Sequence, residues 1–319
     1  MALVAFGAYI LASGVLSFLF LTLVWLADRY EREPPWLVFM ATCWGAVPAV
    51  LVSCTTELVM VAPVGMSLGQ RTAEVIGTIL VAPPVEEIAK GLALLLVVTL
   101  YRKEFDDVLD GLVYGAAVGI GFSFAEDAVY FAGAVAQSGL EGGAAIFALR
   151  NLAFALNHSL FTAFTGIGFG VARVFNRSLA ARIGWPLAGL FAATALHAAH
   201  NALAQFALPG LLAAMALHWA GGLGLLALVP FLWAVERRWI VQRLGHEVSE
   251  GFIPLEALRV LPFSGQNGRS IPVSEWSALR RDLVELAFHR RSREDGWAET
   301  PKGELDLLRA RIRSRVRPS

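Results

Sequence analysis

Seven apolar runs, at roughly 3–27, 36–62, 74–101, 108–136, 144–172, 184–207 and 212–235, each reach the length of about 20 residues that a helix needs to cross the hydrocarbon core of a bilayer. Inside lipid every backbone amide and carbonyl must find its partner within the protein, and runs this long and continuous do so as helices. The expected architecture is therefore an all-α, polytopic transmembrane bundle of about seven spans. Composition agrees: 56% of the 319 residues are hydrophobic, only 16% are charged, and mean hydropathy is +0.60. The first run carries no charge before Asp28 and lacks both a basic leader and a short hydrophobic core with a cleavage site, so it reads as a spanning helix and not a removed signal.

Basic residues fall in alternate loops: Arg29 and Arg32 after the first run, Arg102 and Lys103 after the third, Arg173, Arg177 and Arg182 after the fifth, and Arg237, Arg238 and Arg243 after the seventh. By the positive-inside rule the N-terminus and the 138–143 loop are expected outside, and the C-terminal region inside. The character of the chain changes near residue 236, which divides it into a membrane part, 1–236, and a basic, hydrophilic tail, 237–319. In the tail, Ser274 can cap a helix with Trp276, Leu279, Leu283 and Leu286 at helical spacing, and a stretch from about Gly303 to Val316 sets Leu307, Leu308 and Ile312 among arginines. Such a helix can lie on an anionic leaflet, bind a partner, or be a solvated appendage. Cys43 and Cys54 lie about three helical turns apart, too far to pair, and read as small apolar residues. No repeat, nucleotide-binding signature or nucleic-acid footprint is present.

An ionisable side chain inside a span costs several kcal/mol unless paired or solvated, and this chain has many. The run Ala82-Pro83-Pro84-Val85-Glu86-Glu87-Ile88-Ala89-Lys90 sets two carboxylates and one of only three lysines in the middle of the third span. Pro83 and Pro84 lack amide donors and must kink or restart the helix, freeing backbone groups where the carboxylates sit. Glu86 and Glu87 stand four and three residues before Lys90, so either can pair with it. A purely structural ion pair would fit the same spacing. The fourth span brings Asp110, glycines 111, 115, 119 and 121 for close packing, then Glu126, Asp127 and Tyr130. The fifth brings Arg150, Asn157 and His158, and the sixth brings His197, His200 and Asn201; His200 and His218 read as packing residues. Counted from the cytoplasmic end at about 1.5 Å per residue, Glu86, His158 and His197 come out at roughly 20–22 Å and Glu126 at roughly 22–27 Å. Packing histidines have no reason to share a depth with carboxylates from other helices, whereas a site for activating water requires it.

These motifs resemble those of the PrsW family of bacterial membrane proteases, distant relatives of the CAAX prenyl endopeptidases. Glu86-Glu87-x-x-Lys90 is similar to the family's first motif and Phe122-x-x-x-Glu126, followed by Tyr130, to its second. His158 ahead of Gly166, Gly168 and Gly170 resembles the third, and His197-x-x-x-Asn201 the last. The segment Asp28-Arg29-Tyr30-Glu31-x-Glu33-Pro34 resembles the acidic stretch after the family's first span, and the likeness runs over about residues 25–205. Asp127 departs from the usual asparagine.

The resemblance implies a multi-pass protease of the bacterial inner membrane that cuts membrane-anchored proteins; the founding member acts on a membrane-spanning anti-sigma factor. It implies Glu86 or Glu87 as the base for water with the other pairing Lys90, His197 and Asn201 on the scissile carbonyl, and His158 and Glu126 as orienting groups. These would surround a cavity formed by the third to sixth spans and open toward the outer leaflet. Zinc held by Glu87, His158 and His197 is an alternative, but no HExxH pair occurs and Lys90 would repel a dication, so a metal-free mechanism without a cofactor is the expectation. A proton-coupled transporter would use the same residues as a relay, yet would carry inverted repeats with matching broken helices, and only one proline-broken segment is found. A catalytically inactive scaffold would have no need of every residue type.

Overall fold

The apolar runs fold as helices in the computed structural model, which describes residues 2–175, 178–261, 273–294 and 302–316, and no strand occurs among them. Helix α1 is Ala2–Ala27 and α2 is Pro35–Leu68, widened by a π turn at Gly45–Ala49 around Pro48. Helix α3 covers residues 70–100, again with a π turn, Gly77–Val81. Then come α4 (Val108–Phe147), a π turn at Ala148–Ala153, α5 (Asn157–Val174), α6 (Leu179–Ala204) and α7 (Ala207–Ser249). A 3-10 turn, Leu255–Val260, leads to α8 (Val273–Glu294) and α9 (Lys302–Val316).

Among the described residues five helical stretches are long and apolar enough to cross a membrane: Ala2–Ala27, Pro35–Leu68, Val108–Val174, Leu179–Ala204 and Ala207–Ser249. The segment 70–100, expected as the third span, is helical but carries Glu86, Glu87 and Lys90 at its centre. The loop expected at 138–143 is helical apart from one residue, Gly139, whose φ of 70° lies in the left-handed region that favours glycine. The chain thus runs through two expected spans as a single 67-residue stretch, which if straight would measure about 100 Å, roughly three bilayer cores. It is broken at Gly139 and again at 154–156, and α4 and α5 return along each other as antiparallel neighbours.

The glycines make that return possible. A Cβ on Gly111 would fall 2.1 Å from the Gly166 carbonyl oxygen, and one on Gly119 would fall 2.4 Å from the His158 carbonyl carbon. Backbones this close exclude any side chain, which is how membrane helices gain packing contacts where the hydrophobic effect offers little. The seam fixes the register of α5 on α4, and with it the place of His158.

The contacts divide the chain into two compact units, Met1–Asp28 with Arg32–Val229, and Arg29–Glu31 with Pro230–Ser319. In the first, Leu37, Val38, Leu94, Val113, Tyr114 and Val118 form the largest apolar core. At the start of α4 the Asp107 carboxylate caps the Leu109 and Asp110 amides, and Asp110 reaches back to the Asp107 amide at 2.9 Å. In the loop before α2, the buried Glu33 carboxyl accepts a hydrogen bond from the Tyr114 hydroxyl. Burial, with Asp110 beside it, lifts that carboxyl well above the usual carboxylate range.

In the second unit Ile240, Leu244, Leu279, Leu283, Leu286, Leu308 and Ile312 share one core. The apolar stripes of the two tail helices are therefore buried within the unit and are not free to lie on a leaflet, although Leu307 remains exposed. The helix carrying Ser274 begins at Val273; the Ser274 side chain, like Arg177, lies outside the described residues. Glu247, fully buried, accepts bonds from Arg290 at 2.5 Å and from Arg309 at 2.8 Å through each carboxylate oxygen.

Candidate active site

The site begins with α3. In the turn Gly77–Val81 the Ala82 amide bonds to the Gly77 carbonyl, five residues back. The next amide in that register belongs to Pro83 and does not exist, so the wide turn stops there. An α-helix restarts at Ala82–Leu100 with Pro83 and Pro84 in its first turn, where a missing amide is tolerated. One turn on stand Glu86, Glu87 and Lys90, all buried.

The Lys90 ammonium has three protons and three acceptors: Glu87 Oε1 at 2.6 Å, His158 Nδ1 at 2.9 Å and Glu86 Oε2 at 3.3 Å. It also lies 4.0 Å from the centre of the Phe122 ring. Because Lys90 can only donate, His158 Nδ1 must be the bare nitrogen, and the proton sits on Nε2, 2.9 Å from Glu126 Oε2. Glu126 and Asp127 are in turn paired with Arg150, whose guanidinium stacks 4.1 Å from the Tyr130 ring centre. Carboxylates and cations thus alternate along Glu87, Lys90, Glu126 and Arg150, with the neutral His158 ring bridging Lys90 to Glu126.

The two adjacent glutamates differ. Glu87 has no exposure and is saturated: Oε1 accepts from Lys90 and from His197 Nδ1 at 3.1 Å, and Oε2 accepts from the Thr162 hydroxyl at 3.1 Å. Glu86 keeps one long bond to Lys90 and faces a cavity of about 840 Å³. The same cavity is lined by Glu126, His158, His197 and Asn201, and by Glu57 from α2. Phe161 stacks on the His197 ring at 4.9 Å and fixes its plane. Leu156, at φ 72°, is a non-glycine residue in left-handed conformation immediately before α5, a strain of about 1–3 kcal/mol placed two residues from His158.

Glu86, Glu87, Lys90, Glu126, His158 and His197, all expected from the sequence, lie in one connected network. Asn201 lines the cavity, but its amide donates to the Thr78 carbonyl at 2.9 Å. Tyr130 meets the network at the Arg150 guanidinium, and His200 bonds Asn157 at 3.2 Å. Thr162 and Glu57 have no counterpart among the residues expected from the sequence, and Arg150 was expected in the fifth span without a role. For Arg150 the signal was available, since an arginine inside an apolar run needs a carboxylate, and Glu126 and Asp127 lay in the neighbouring span without a cation.

A family model described as PrsW family intramembrane metalloprotease matches residues 33–235, from the loop before α2 into α7. The chain belongs to the PrsW family. It is accordingly an intramembrane protease, a multi-pass membrane enzyme that hydrolyses peptide bonds. No curated protein and no solved structure matches the chain. For the metal in the family's description, one ligand atom each from Glu86, Glu87, His158 and His197 lies within 4.8 Å of the others, and such oxygen and nitrogen donors suit zinc. In this PrsW protein, however, Glu86, Glu87 and His158 already accept hydrogen bonds from the Lys90 ammonium. As arranged, three of the four are engaged by an ammonium, which a dication would have to displace.

Proposed function

We propose that the chain cleaves membrane-anchored proteins at the cavity, with Glu86 as the general base that takes a proton from water. The observation that carries this reading is the contrast between the two glutamates: Glu86 lines the cavity with a carboxylate only loosely held, whereas Glu87 is sealed and saturated. A base must reach water and must be able to gain a proton; a carboxylate with three tight donors does neither.

In this reading Glu87 and Lys90 form the anchor. Glu87 holds His197 through Nδ1, so the His197 Nε2 is the ring nitrogen that remains for the substrate carbonyl oxygen, donating when the ring is protonated. Water loses its proton to Glu86, its oxygen adds to the carbonyl carbon, and the proton passes from Glu86 to the amide nitrogen as the C–N bond breaks, releasing a new carboxyl group and a new amine. His158 and Glu126 orient this set through Lys90, with Arg150 as the outer counter-charge. The saturation of Lys90 by Glu86, Glu87 and His158 supports a mechanism without metal. The loop charges support an external N-terminus and a cytoplasmic tail in a bacterial inner membrane, which would open the cavity, at the α2–α3 end of the bundle, toward the outer leaflet. Anti-sigma-factor-like substrates follow from the family resemblance alone.

The test is a comparison of membrane proteins accumulating in a strain lacking the enzyme with those in a strain carrying Glu86→Gln. The same single-span proteins should accumulate in both. Normal processing by Glu86→Gln at normal abundance would remove Glu86 from its role.

A further inference from the structure

We infer that Asn201 is a positioning residue that stands in for a missing backbone amide and thereby holds the turn that aims Glu86 at the cavity. Pro83 and Pro84 follow the π turn and limit the backbone donors its carbonyls can reach. In an α-helix the Thr78 carbonyl would accept from the residue 82 amide, and in a π turn from that of residue 83. The Ala82 amide is given to Gly77, and residue 83 is proline, so neither backbone donor exists for Thr78. A carbonyl left without a donor inside a membrane bundle is costly, and helices broken by proline persist there only where another group supplies the bond.

Asn201 Nδ2 supplies it at 2.9 Å, from α6, 123 residues away in the chain. The bond ties the end of α6 to the π turn one helical turn below His197, and Glu86 follows that turn by five residues. The turn and the cap have a common purpose. A π turn closed by prolines sets where the restarted helix begins, and so which of Glu86 and Glu87 meets the cavity; the Asn201 bond keeps that register. Asn201 in this role acts on the carbonyl of Thr78 and not on the substrate's.

The experiment uses the full-length enzyme in proteoliposomes and rests on the protease reading for its first arm only. Asn201→Ala should lower cleavage on the order of 10- to 100-fold, as expected for orphaning a buried carbonyl. Pro83→Ala returns an amide in the register that reaches Thr78, so the double variant Asn201→Ala/Pro83→Ala should recover most of that loss relative to Pro83→Ala alone. A residue that donates to the substrate oxyanion predicts no recovery, and a double variant as impaired as Asn201→Ala would overturn the inference. The second arm needs no activity and separates this idea from the protease assignment. Hydrogen exchange of the segment 77–90 should quicken at least tenfold in Asn201→Ala and return toward wild type in the double variant. Unchanged exchange in Asn201→Ala would equally overturn it, whatever the protein does to substrates.

Discussion

The membrane unit and the C-terminal unit each bury a glutamate against cations, and they do so with different chemistry. In the C-terminal unit Glu247 is enclosed by two arginines within an apolar core of leucines and isoleucines. In the membrane unit Glu86 and Glu87 share one lysine, and the network runs on through two histidines toward a cavity. Arginine cannot release its proton, so the Glu247 cluster can only hold; histidine, glutamate and lysine can each change protonation state, so the Glu86 cluster can carry a reaction. Burial and pairing alone do not mark a site. What marks it is a proton-exchanging partner set with one member left open to a cavity.

The comparison breaks first, and with the largest effect, if the two adjacent glutamates behave alike. Glu86→Gln should cut cleavage by about 10²–10⁴-fold, the usual contribution of a general base, with little change in melting temperature. Glu87→Gln should abolish cleavage and also destabilise the solubilised protein by about 3 kcal/mol, because it leaves the buried Lys90 short of its closest partner. Cleavage of a single-span reporter and thermal unfolding of both variants, measured side by side, separate base from anchor. If Glu86→Gln melts like Glu87→Gln, the two are one structural pair.

A smaller effect is expected in the other unit. Glu247→Ala should destabilise the tail by about 2 kcal/mol, since Arg290 and Arg309 lose charged hydrogen bonds yet keep some access to water. Limited proteolysis between residues 250 and 300 should quicken while the cleavage rate stays within twofold of wild type. The family match ends at residue 235, ahead of Glu247, which is consistent with that independence. A Glu247→Ala enzyme that folds and no longer cleaves would erase the distinction between holding and reacting.

What could be read from the sequence follows the same division. Helical spacing placed Glu86, Glu87 and Lys90 within reach of one another, and depth counting put His158, His197 and Glu126 in their layer, because both depend only on position along a helix axis. Rotation about that axis is another matter. Which glutamate faces the cavity, that Thr162 seals Glu87 and that Asn201 turns to Thr78 depend on packing angles that a linear count does not contain. The membrane fold was legible as a set of apolar runs, and the break expected at 138–143 falls at Gly139, where two helices meet across a kink; that the turn takes a single residue leaves no trace in hydropathy. The tail stripes were legible as amphipathic, but whether a leaflet, a partner or the tail's own helices cover them was not, since a stripe shows that a helix has a partner and not which one it has.

Glu33 supplies an intermediate case, buried beside Asp110, Asp28 and the Tyr114 hydroxyl. Its carboxyl is raised by burial, so the native state keeps a proton that the unfolded chain has released above the ordinary carboxylate range. Stability from that proton is complete at acid pH and is lost as pH rises through the raised native value. The melting temperature of the solubilised protein should therefore fall over that window, and Glu33→Gln, which keeps the volume without the proton, should flatten the fall. An unchanged slope in Glu33→Gln would place the titration elsewhere.

The smallest effect expected is none at all, and it bears on the metal. If the Lys90 ammonium is the cation of the site, a membrane-permeant chelator should leave the rate of cleavage unchanged, and the purified enzyme should carry well under one equivalent of zinc. The physical ground is specific to this network: Glu86, Glu87 and His158 each direct a lone pair at Nζ, and a dication brought to the same point would face a full positive charge across a dry interior. For zinc to enter, Lys90 would have to swing away or lose its proton, and its carboxylate and imidazole partners would have to exchange one cation for another. Adding zinc to the active enzyme should for the same reason inhibit or do nothing, and not accelerate. Loss of cleavage on chelation, restored by zinc and not by magnesium, would show that Lys90 yields its place to a metal in the working enzyme; Glu86 would then be a ligand or a base beside it, and the contrast with Glu247 would rest on the metal instead of on the lysine.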